Sequence, residues 1–217
     1  MAGRTLVTPP AVEPVTVAEA KLFARITTDS EDTLVNDLIV AARKWAEDWR
    51  DQSFVTQTWD YVLDAFPDYR SGFDGFTPAG LQPWMGTPGL LAESPILLPR
   101  YPLQSVTSVK YTPYSGGQLT LDPTTYIVDT SNIRTPRIVP AFGRLWPTDL
   151  LVSANGVVVR FIAGYADVAG NPTVPEQVTL ALKQLVSYWF YNRDATGTVP
   201  GSIKEILTDV TGGFAYA

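Results

Sequence analysis

Carboxylates are the side chains that could do chemistry in this sequence, because its 217 residues include no histidine and no cysteine. Those absences exclude Ser-His-Asp and Cys-His nucleophiles, zinc sites with Cys or His ligands, Cys-ligated iron–sulfur clusters and disulfides. Asp60, Asp64 and Asp68 recur at a regular spacing. Two facing carboxyl groups can serve a glycosidase as its general acid and its base or nucleophile. A carboxylate-dependent hydrolase with Asp60 and Asp64 as its pair is therefore one hypothesis.

The acidic residues also have a structural interpretation. Apolar and polar residues alternate over 58–63, which predicts a strand with Asp60 and Asp64 on its solvent side. A second acidic group, at 29–32, lacks the Gly and Glu positions of an EF-hand and suits the start of a helix instead. The glycine-containing turns have neither a Walker nor a dinucleotide-binding pattern. The sequence thus predicts no enzyme activity, no cofactor and no bound metal.

Basic and aromatic residues could contact other macromolecules. Arg134, Arg137 and Arg144 lie within one stretch, and arginines beside aromatic rings can contact a DNA backbone through charge and stacking. The net charge of −6 opposes extensive nucleic-acid binding, so we expect any contact to be transient and non-specific. Trp84 and Trp146 lie beside prolines in predicted loops, which makes them candidates for a partner surface.

The composition indicates a packed chain with a partly covered surface. Apolar residues make up 45% and charged residues 18%, so the chain has material for a core and fewer charges than soluble domains usually carry. Few charges together with 12% aromatic residues indicate a surface that a partner covers. No apolar run has the length of a membrane helix or a signal peptide, so we expect a cytosol-like compartment and no membrane partner.

Helical signals lie near both ends of the chain. Thr16 and Glu19 have the spacing of a capping box, which predicts a first helix over about 17–25. A turn at 27–30 supplies the N-cap of a second helix, which runs to about Arg50.

The periodicity also predicts which helix faces are buried. In the second helix Val35 and Ile39 belong to the apolar side, whereas Arg43 and Glu47 mark the opposite, polar side. A third helix is predicted over 176–192, with a proline just before it and an apolar stripe along one side.

The middle of the chain changes to strand signals. Gly116 and Gly117 predict a hairpin turn, and residues 67–90 predict a long loop. We predict strands at 58–63, 96–98, 106–111, 118–121, 126–129, 137–139 and 157–163.

These elements predict an α+β fold. Its parts are a small helical bundle, made of two N-terminal helices plus a C-terminal helix, an inserted antiparallel β-sandwich-like section and a C-terminal arm. Packing the short helical pieces together buries more surface than leaving them apart. The predicted organisation is an extended N-terminal lead at 1–14, a helical domain at 15–53 and 174–193, an inserted β domain at 54–173 with the long loop 67–90, and a hinge and C-terminal arm at 194–217.

Three stretches of the sequence have a familiar order and spacing. The first is VTVAEAKLFARI at 15–26, followed by QTW at 57–59. The second is LPRYPLQSVTSVKY at 98–111. The third is VVVRFIAGY at 157–165, followed by VP at 174–175 and YWFYNR at 188–193. Taken together, these stretches resemble the phage head–tail connector family, the adaptor or head-completion proteins of long-tailed double-stranded DNA phages, prophages and gene transfer agents.

The resemblance implies a structural virion protein of the neck, between head and tail. Such proteins form a homo-oligomeric ring of roughly twelvefold symmetry that binds the portal protein, extends the DNA channel and docks a stopper or tail-completion protein. In similar proteins the C-terminal arm engages the portal. The matching positions here are Ile203, Ile206, Leu207, Val210, Phe214 and Tyr216.

Two other classes of function stay open at this point. A carbohydrate- or protein-binding β-module would use Trp84 and the tyrosine-containing loops. The hydrolase hypothesis would use Asp60 and Asp64. The acidic charge suits the connector, because a net-negative channel wall repels phosphate and lets DNA slide.

Overall fold

A computed structural model describes residues 3–67, 95–168, 170–195 and 198–209. Most of the predicted loop 67–90, with Trp84, lies outside the described residues. The elements are β1 Gly3–Thr8, α1 Val17–Ala24, α2 Asp32–Arg50, β2 Gln57–Leu63, β3 Ile96–Leu97, β4 Leu103–Tyr111, β5 Leu119–Thr120, β6 Tyr126–Asp129, β7 Arg137–Pro140, β8 Val157–Ala163, β9 Asp167–Val168, β10 Asn171–Pro172, α3 Glu176–Tyr191 and α4 Gly201–Asp209.

The chain forms two compact units. The first, which we call the β unit, comprises Met1–Pro9 and Gln57–Ala163, and the second, the helical unit, comprises Pro10–Thr56 and Gly164–Ala217. The predicted α+β class is confirmed, because helices and antiparallel strands make up the chain. Within the described ranges, no helix combines the length and the apolar character needed to cross a membrane.

The helical unit is built on α3, which contacts α1, α2 and α4. Its core joins the apolar stripe of α3 to that of α2 through fully buried side chains such as Leu185 and Val35. Val15, Phe54 and Val199 add to this core from the segments that flank the helices. Burial of these stripes is what holds helices as short as α1 in place.

The capping box at the start of α1 is confirmed. The Thr16 hydroxyl accepts the Glu19 backbone N–H at 3.2 Å, and the Glu19 carboxylate accepts the Thr16 N–H at 2.9 Å. The N-cap of α2 differs from the prediction: it is Glu31, whose side chain makes no capping bond. Asp29 and Asp32 both accept from the Lys21 ammonium at 2.6 Å, so that turn is tied to α1 by charge.

The assignment of Arg43 and Glu47 to the solvent side of α2 was wrong. Both side chains are buried, at 4% exposure each. Arg43 donates to Glu47 through Nη1 at 2.7 Å and to Glu13 through Nε and Nη2, at 2.7 and 3.1 Å. Glu47 also accepts the buried Phe54 N–H at 2.7 Å. These charges can be buried because the hydrogen-bonded ion pairs between the carboxylates and the guanidinium compensate for their lost hydration.

The β unit contains a five-stranded sheet in the order β1-β2-β8-β4-β5 and a three-stranded sheet in the order β3-β7-β6. All pairings are antiparallel. β8 lies at the predicted 157–163, and its burial alternates, with Val157, Val159, Phe161 and Ala163 at 0% exposure. Side chains from both sheets form one apolar core, because Ile138 of the smaller sheet joins the buried side chains of β8.

The first strand was not among the predicted strands. Residues 3–8, expected as part of an extended lead, pair antiparallel with β2 at the edge of the five-stranded sheet. All six residues of β1 are exposed, so the segment has no alternation of buried and exposed positions that a sequence pattern could reveal. Backbone hydrogen bonding to β2 defines this strand.

A glycine marks the end of β8. Gly164 has φ +123°, and a Cβ built there would lie 2.1 Å from the Val55 carbonyl oxygen. Tyr165, the next residue, forms a parallel bridge with Val55, and its hydroxyl accepts from Gln52 Nε2 at 3.0 Å. The close approach of two backbone segments therefore requires glycine at this position.

Candidate functional site

The two carboxylates of the hydrolase hypothesis, Asp60 and Asp64, both accept hydrogen bonds from other residues of the β unit. Asp60 and Arg160 face each other across β2 and β8 and form a bidentate pair, with both N–O distances 2.8 Å. Asp64 accepts the Asn155 backbone N–H at 3.2 Å. In the described part of the chain, no three acidic side chains are grouped so that they could hold a metal ion.

The three candidate DNA-contacting arginines lie around β6 and β7. Arg137 donates from Nε to Asp129 at 2.8 Å across these strands. Hydrogen bonds from Ser131 and Arg137 lower the pKa of Asp129 to about 2, so the pair is ionised at neutral pH. Arg134 and Arg144 are exposed, and Arg144 is close enough to Asp122 to contribute to the lowered pKa of that carboxyl group, after hydrogen bonds from Thr124.

Trp146, predicted to lie on a partner surface, is buried at 8% exposure in the core of the β unit. Its ring stacks on Phe66 with centroids 5.2 Å apart, and Phe66 contacts the edge of Tyr111 at 5.7 Å. The three rings thus pack against one another, and Trp146 fixes the loop between β7 and β8 to the core of the β unit. Trp84 lies outside the described residues.

Three strongly exposed apolar residues lie within four positions of Trp146 in the sequence, and a fourth, Tyr114, lies in the segment after β4. Phe142 is 95% exposed, Leu150 76%, Tyr114 73% and Leu145 69%. The Tyr114 N–H donates to the Leu150 carbonyl at 2.7 Å, so the two segments that carry these side chains are joined by backbone hydrogen bonding. We call these four residues the loop patch.

The C-terminal arm begins with a helix that packs on its own unit. Ile203 and Leu207 are 3% and 1% exposed and belong to the core of the helical unit, and Ile206 packs partly against it. The helix α4 contacts α3. The remaining predicted arm positions, Val210, Phe214 and Tyr216, lie outside the described residues.

A second group of exposed apolar residues occurs in the helical unit. Leu22 is 82% exposed, Tyr191 62% and Phe23 41%. The Tyr191 hydroxyl donates to the Ala24 carbonyl at 2.6 Å, which joins the C-terminal end of α3 to that of α1. We call Leu22, Phe23 and Tyr191 the helix patch.

Sequence reasoning did not single out most residues of the two patches. The signal available for the loop patch was weak, because its large apolar residues lie near turn residues such as Gly143 and Pro147 without helical or strand periodicity. Such a pattern does not separate an exposed loop from a buried one, as Trp146 and Leu145 show at adjacent positions.

Comparison with known proteins first concerns the amino-acid sequence. Residues 14–69 match the family described as "Phage gp6-like head-tail connector protein". This segment includes α1, α2 and β2. No curated protein matches the chain in sequence.

Solved structures extend the likeness to most of the chain. A chain in "Virion of native gene transfer agent (GTA) particle" has a TM-score of 0.67 at 17% identity, covering 94% of this chain and 93% of that one. A chain in "Neck of empty GTA particle computed with C6 symmetry" has a TM-score of 0.66, and one in "Neck of native GTA particle computed with C12 symmetry" has 0.62. Both are 17% identical and cover 96% of this chain and 93% of their own length. The family match over residues 14–69 and the fold shared with these neck proteins confirm the resemblance to head–tail connectors found in the sequence.

Proposed function

We propose that this protein is a structural component of the virion neck, a head–tail connector that forms a ring between portal and tail. The observation that carries the proposal is the head–tail connector family match at 14–69. The fold supports it, because similar chains occur in gene transfer agent necks over nearly their full length. The neck reconstructed with C12 symmetry supports a ring of twelve copies.

The protein acts without enzyme chemistry in this proposal. The sequence has no histidine or cysteine. Asp60 and Asp64, the candidate carboxylates, bond to Arg160 and to a backbone N–H. Removing the Asp60 carboxylate would therefore alter a cross-strand ion pair.

The partners in this proposal are the portal protein on one side of the ring and a stopper or tail-completion protein on the other. We propose that the C-terminal arm binds the portal, as the sequence resemblance implies. Because Ile203 and Leu207 are buried within their own unit, the positions that serve this contact are the later ones, Val210, Phe214 and Tyr216.

Mass measurement tests the ring. Light scattering of the purified chain, alone and mixed with the portal protein of the same particle, should give a mass many times that of the 23.7 kDa monomer in at least one of the two conditions. A chain that stays monomeric and does not bind the portal protein would contradict the connector function.

Truncation tests the arm. Deleting residues 210–217 should abolish portal binding while thermal unfolding of the chain stays unchanged. Deletion from residue 201 is a poor test, because it also removes Ile203 and Leu207 from the core. Portal binding at full strength after the shorter deletion would overturn the arm assignment and leave the ring in place.

The alternative of a carbohydrate- or protein-binding β-module is not favoured. Trp146 is buried and one face of its ring stacks on Phe66, so this ring is not available to a sugar or peptide. The family match concerns connectors.

A further inference from the structure

We propose that β1 is exchanged between copies: residues 3–8 of one copy pair with the edge of β2 in the next copy of the ring. This inference rests on the proposed ring and names one contact between its copies. The contact lies within a single sheet, the five-stranded sheet of the β unit, in which β1 is an edge strand beside β2.

The attachment of β1 to its sheet is made by the backbone. The strand pairs antiparallel with β2, and its register shifts between Leu6 and Thr8. All six of its residues are exposed, including the apolar Leu6 and Val7 at 39% and 40%. Local opening costs least where little apolar surface is buried. β1 therefore separates from β2 at a lower cost than β8, whose alternate side chains are fully buried.

The segment that follows β1 is suited to carry an opened strand. Residues 1–9 belong to the β unit, whereas residues 10–56 belong to the helical unit. Along the chain, β1 is thus joined to the rest of its own unit only through the helical unit. Pro9, Pro10 and Pro14 lie between β1 and α1. Because prolines favour an extended backbone, this connection holds an opened β1 as an extended N-terminal segment.

The observed pairing identifies the occupant of the β2 edge. Separation of β1 leaves unpaired N–H and C=O groups along this edge, and such an edge is a template for another strand. Residues 3–8 are the strand that pairs with this edge in the structure. The same residues of a second copy have the same sequence, so they restore these hydrogen bonds in the same register. Exchange of an identical element between copies is a low-cost route to association.

Exchange in one direction is compatible with a closed ring. Each copy donates its β1 to one neighbour and receives β1 from the other, so its two contacts use unlike surfaces, as a head-to-tail ring requires. The same backbone hydrogen bonds form in the monomer and in the ring. The equilibrium between the two states is therefore set by the other contacts that the copies make on assembly.

Disulfide formation tests the exchange, because the sequence has no cysteine. Thr8 and Thr58 lie opposite each other in the β1–β2 pair. Directly opposed residues of antiparallel strands have Cα atoms about 4.5–5.5 Å apart, which suits a disulfide. An assembled equimolar mixture of the Thr8→Cys and Thr58→Cys variants, oxidised under mild conditions, should give disulfide-linked dimers. Each single variant alone should give none.

The opposite edge of the sheet provides the control. Thr120 is exposed on β5, which is the other edge strand of the five-stranded sheet. Thr8→Cys mixed with Thr120→Cys should give no dimer under the same conditions. Dimers in this mixture as well would show that residues 3–8 do not select the β2 edge and would overturn the assignment.

A chain with both Thr8→Cys and Thr58→Cys tests whether the ring needs the exchange. Oxidised while unassembled, at low concentration and without portal protein, it forms the disulfide within one copy and keeps β1 on its own β2. This locked chain should assemble at least about tenfold more weakly than the same sample after reduction, as measured by light scattering. Comparing one sample before and after reduction separates the lock from any effect of the two substitutions on folding.

The outcomes separate this inference from the proposed function. Assembly is measured in the condition, alone or with portal protein, in which the wild-type chain assembles. Assembly without mixed dimers, or a locked chain that assembles as well as the reduced one, would overturn the exchange while the ring stands. A wild-type chain that assembles in no condition would overturn the ring and, with it, the exchange.

Discussion

Arg43 shows how much a single buried charge can organise in this chain. Its guanidinium reaches Glu13, ahead of α1, and Glu47, one turn further along α2. Burial alone would lower the pKa of Arg43, but its bonds to the two carboxylates raise it overall, so the group stays charged. Glu47 in turn accepts the Phe54 N–H, where the chain leaves α2. One cation thus holds three chain segments of the helical unit.

Replacing Arg43 should destabilise the helical unit strongly. Arg43→Met keeps the volume but leaves Glu13 and Glu47 without their cation, and breaking a buried pair in this way costs about 3–5 kcal/mol. Urea unfolding of the variant against the wild type measures the loss. Lys44→Met, at the exposed neighbouring position of α2, is the control and should change stability little. A small loss in the Arg43 variant would show that the network is not a main source of stability.

Asp129 gives the β unit an acid-sensitive contact. Its pKa is lowered from 3.8 to about 2 by Ser131 and Arg137. A folded-state pKa below the unfolded value stabilises the fold when the carboxylate is ionised. This contribution is complete above pH of about 4 and disappears as the pH falls to about 2.

The pH dependence of Asp129→Asn tests this contact. The variant should melt below the wild type at pH 7, and the difference should shrink as the pH falls from about 4 to about 2. Thermal unfolding followed across this range measures it, with Asp149→Asn, a substitution in an exposed loop, as the control. A difference in melting temperature that stays constant over the whole range would refute the linkage.

At the scale of elements, periodicity and capping located most helices and strands. The helices at 17–25 and 176–192 were predicted to within one residue of α1 and α3, because apolar stripes and a capping box marked them. β1 was missed because all of its residues are exposed. The buried pair on α2 was assigned to solvent because hydrophobic patterns treat every charge as exposed.

The helix α4 carries an element-scale prediction. Leu207→Ala should lower the free energy of unfolding by about 2–5 kcal/mol, because it leaves a cavity in the core that α4 shares with α3. Ile206→Ala, on the half-buried side of the same helix, should cost clearly less. Chemical denaturation of both variants measures the difference. Equal, small losses would indicate that α4 is detached from the helical unit in solution.

At the scale of the whole molecule, the net charge of −6 bears on how the proposed connector would interact with DNA. A channel that carries DNA must not retain it, and negative charge repels phosphate over the Debye length. The Arg137–Asp129 pair places an anion beside one of the candidate DNA-contacting arginines. We propose that Arg134, Arg137 and Arg144 make only transient backbone contact.

DNA binding by the purified chain should therefore be very weak. At about 150 mM salt we expect a Kd for duplex DNA above about 10⁻⁴ M, the weak limit of ordinary non-specific binding. Fluorescence anisotropy with a labelled duplex measures it over a series of salt concentrations. Replacing Arg134 and Arg144 by glutamate should remove any residual binding at low salt. A micromolar Kd for duplex DNA at physiological salt would contradict the proposal that DNA slides past this protein without being retained.

The amino-acid sequence by itself determined the helix and strand periods, the capping box, the exclusion of His- and Cys-based chemistry and the resemblance to connectors. These features depend on residue types and local spacing, which the amino-acid sequence gives directly. The tertiary structure decided which residues are buried. It places Trp146 and Leu207 in cores, pairs Arg43 with Glu13, and leaves Phe142 and Leu22 exposed. Burial and ion pairing join residues far apart in the sequence, so local patterns could not reveal them.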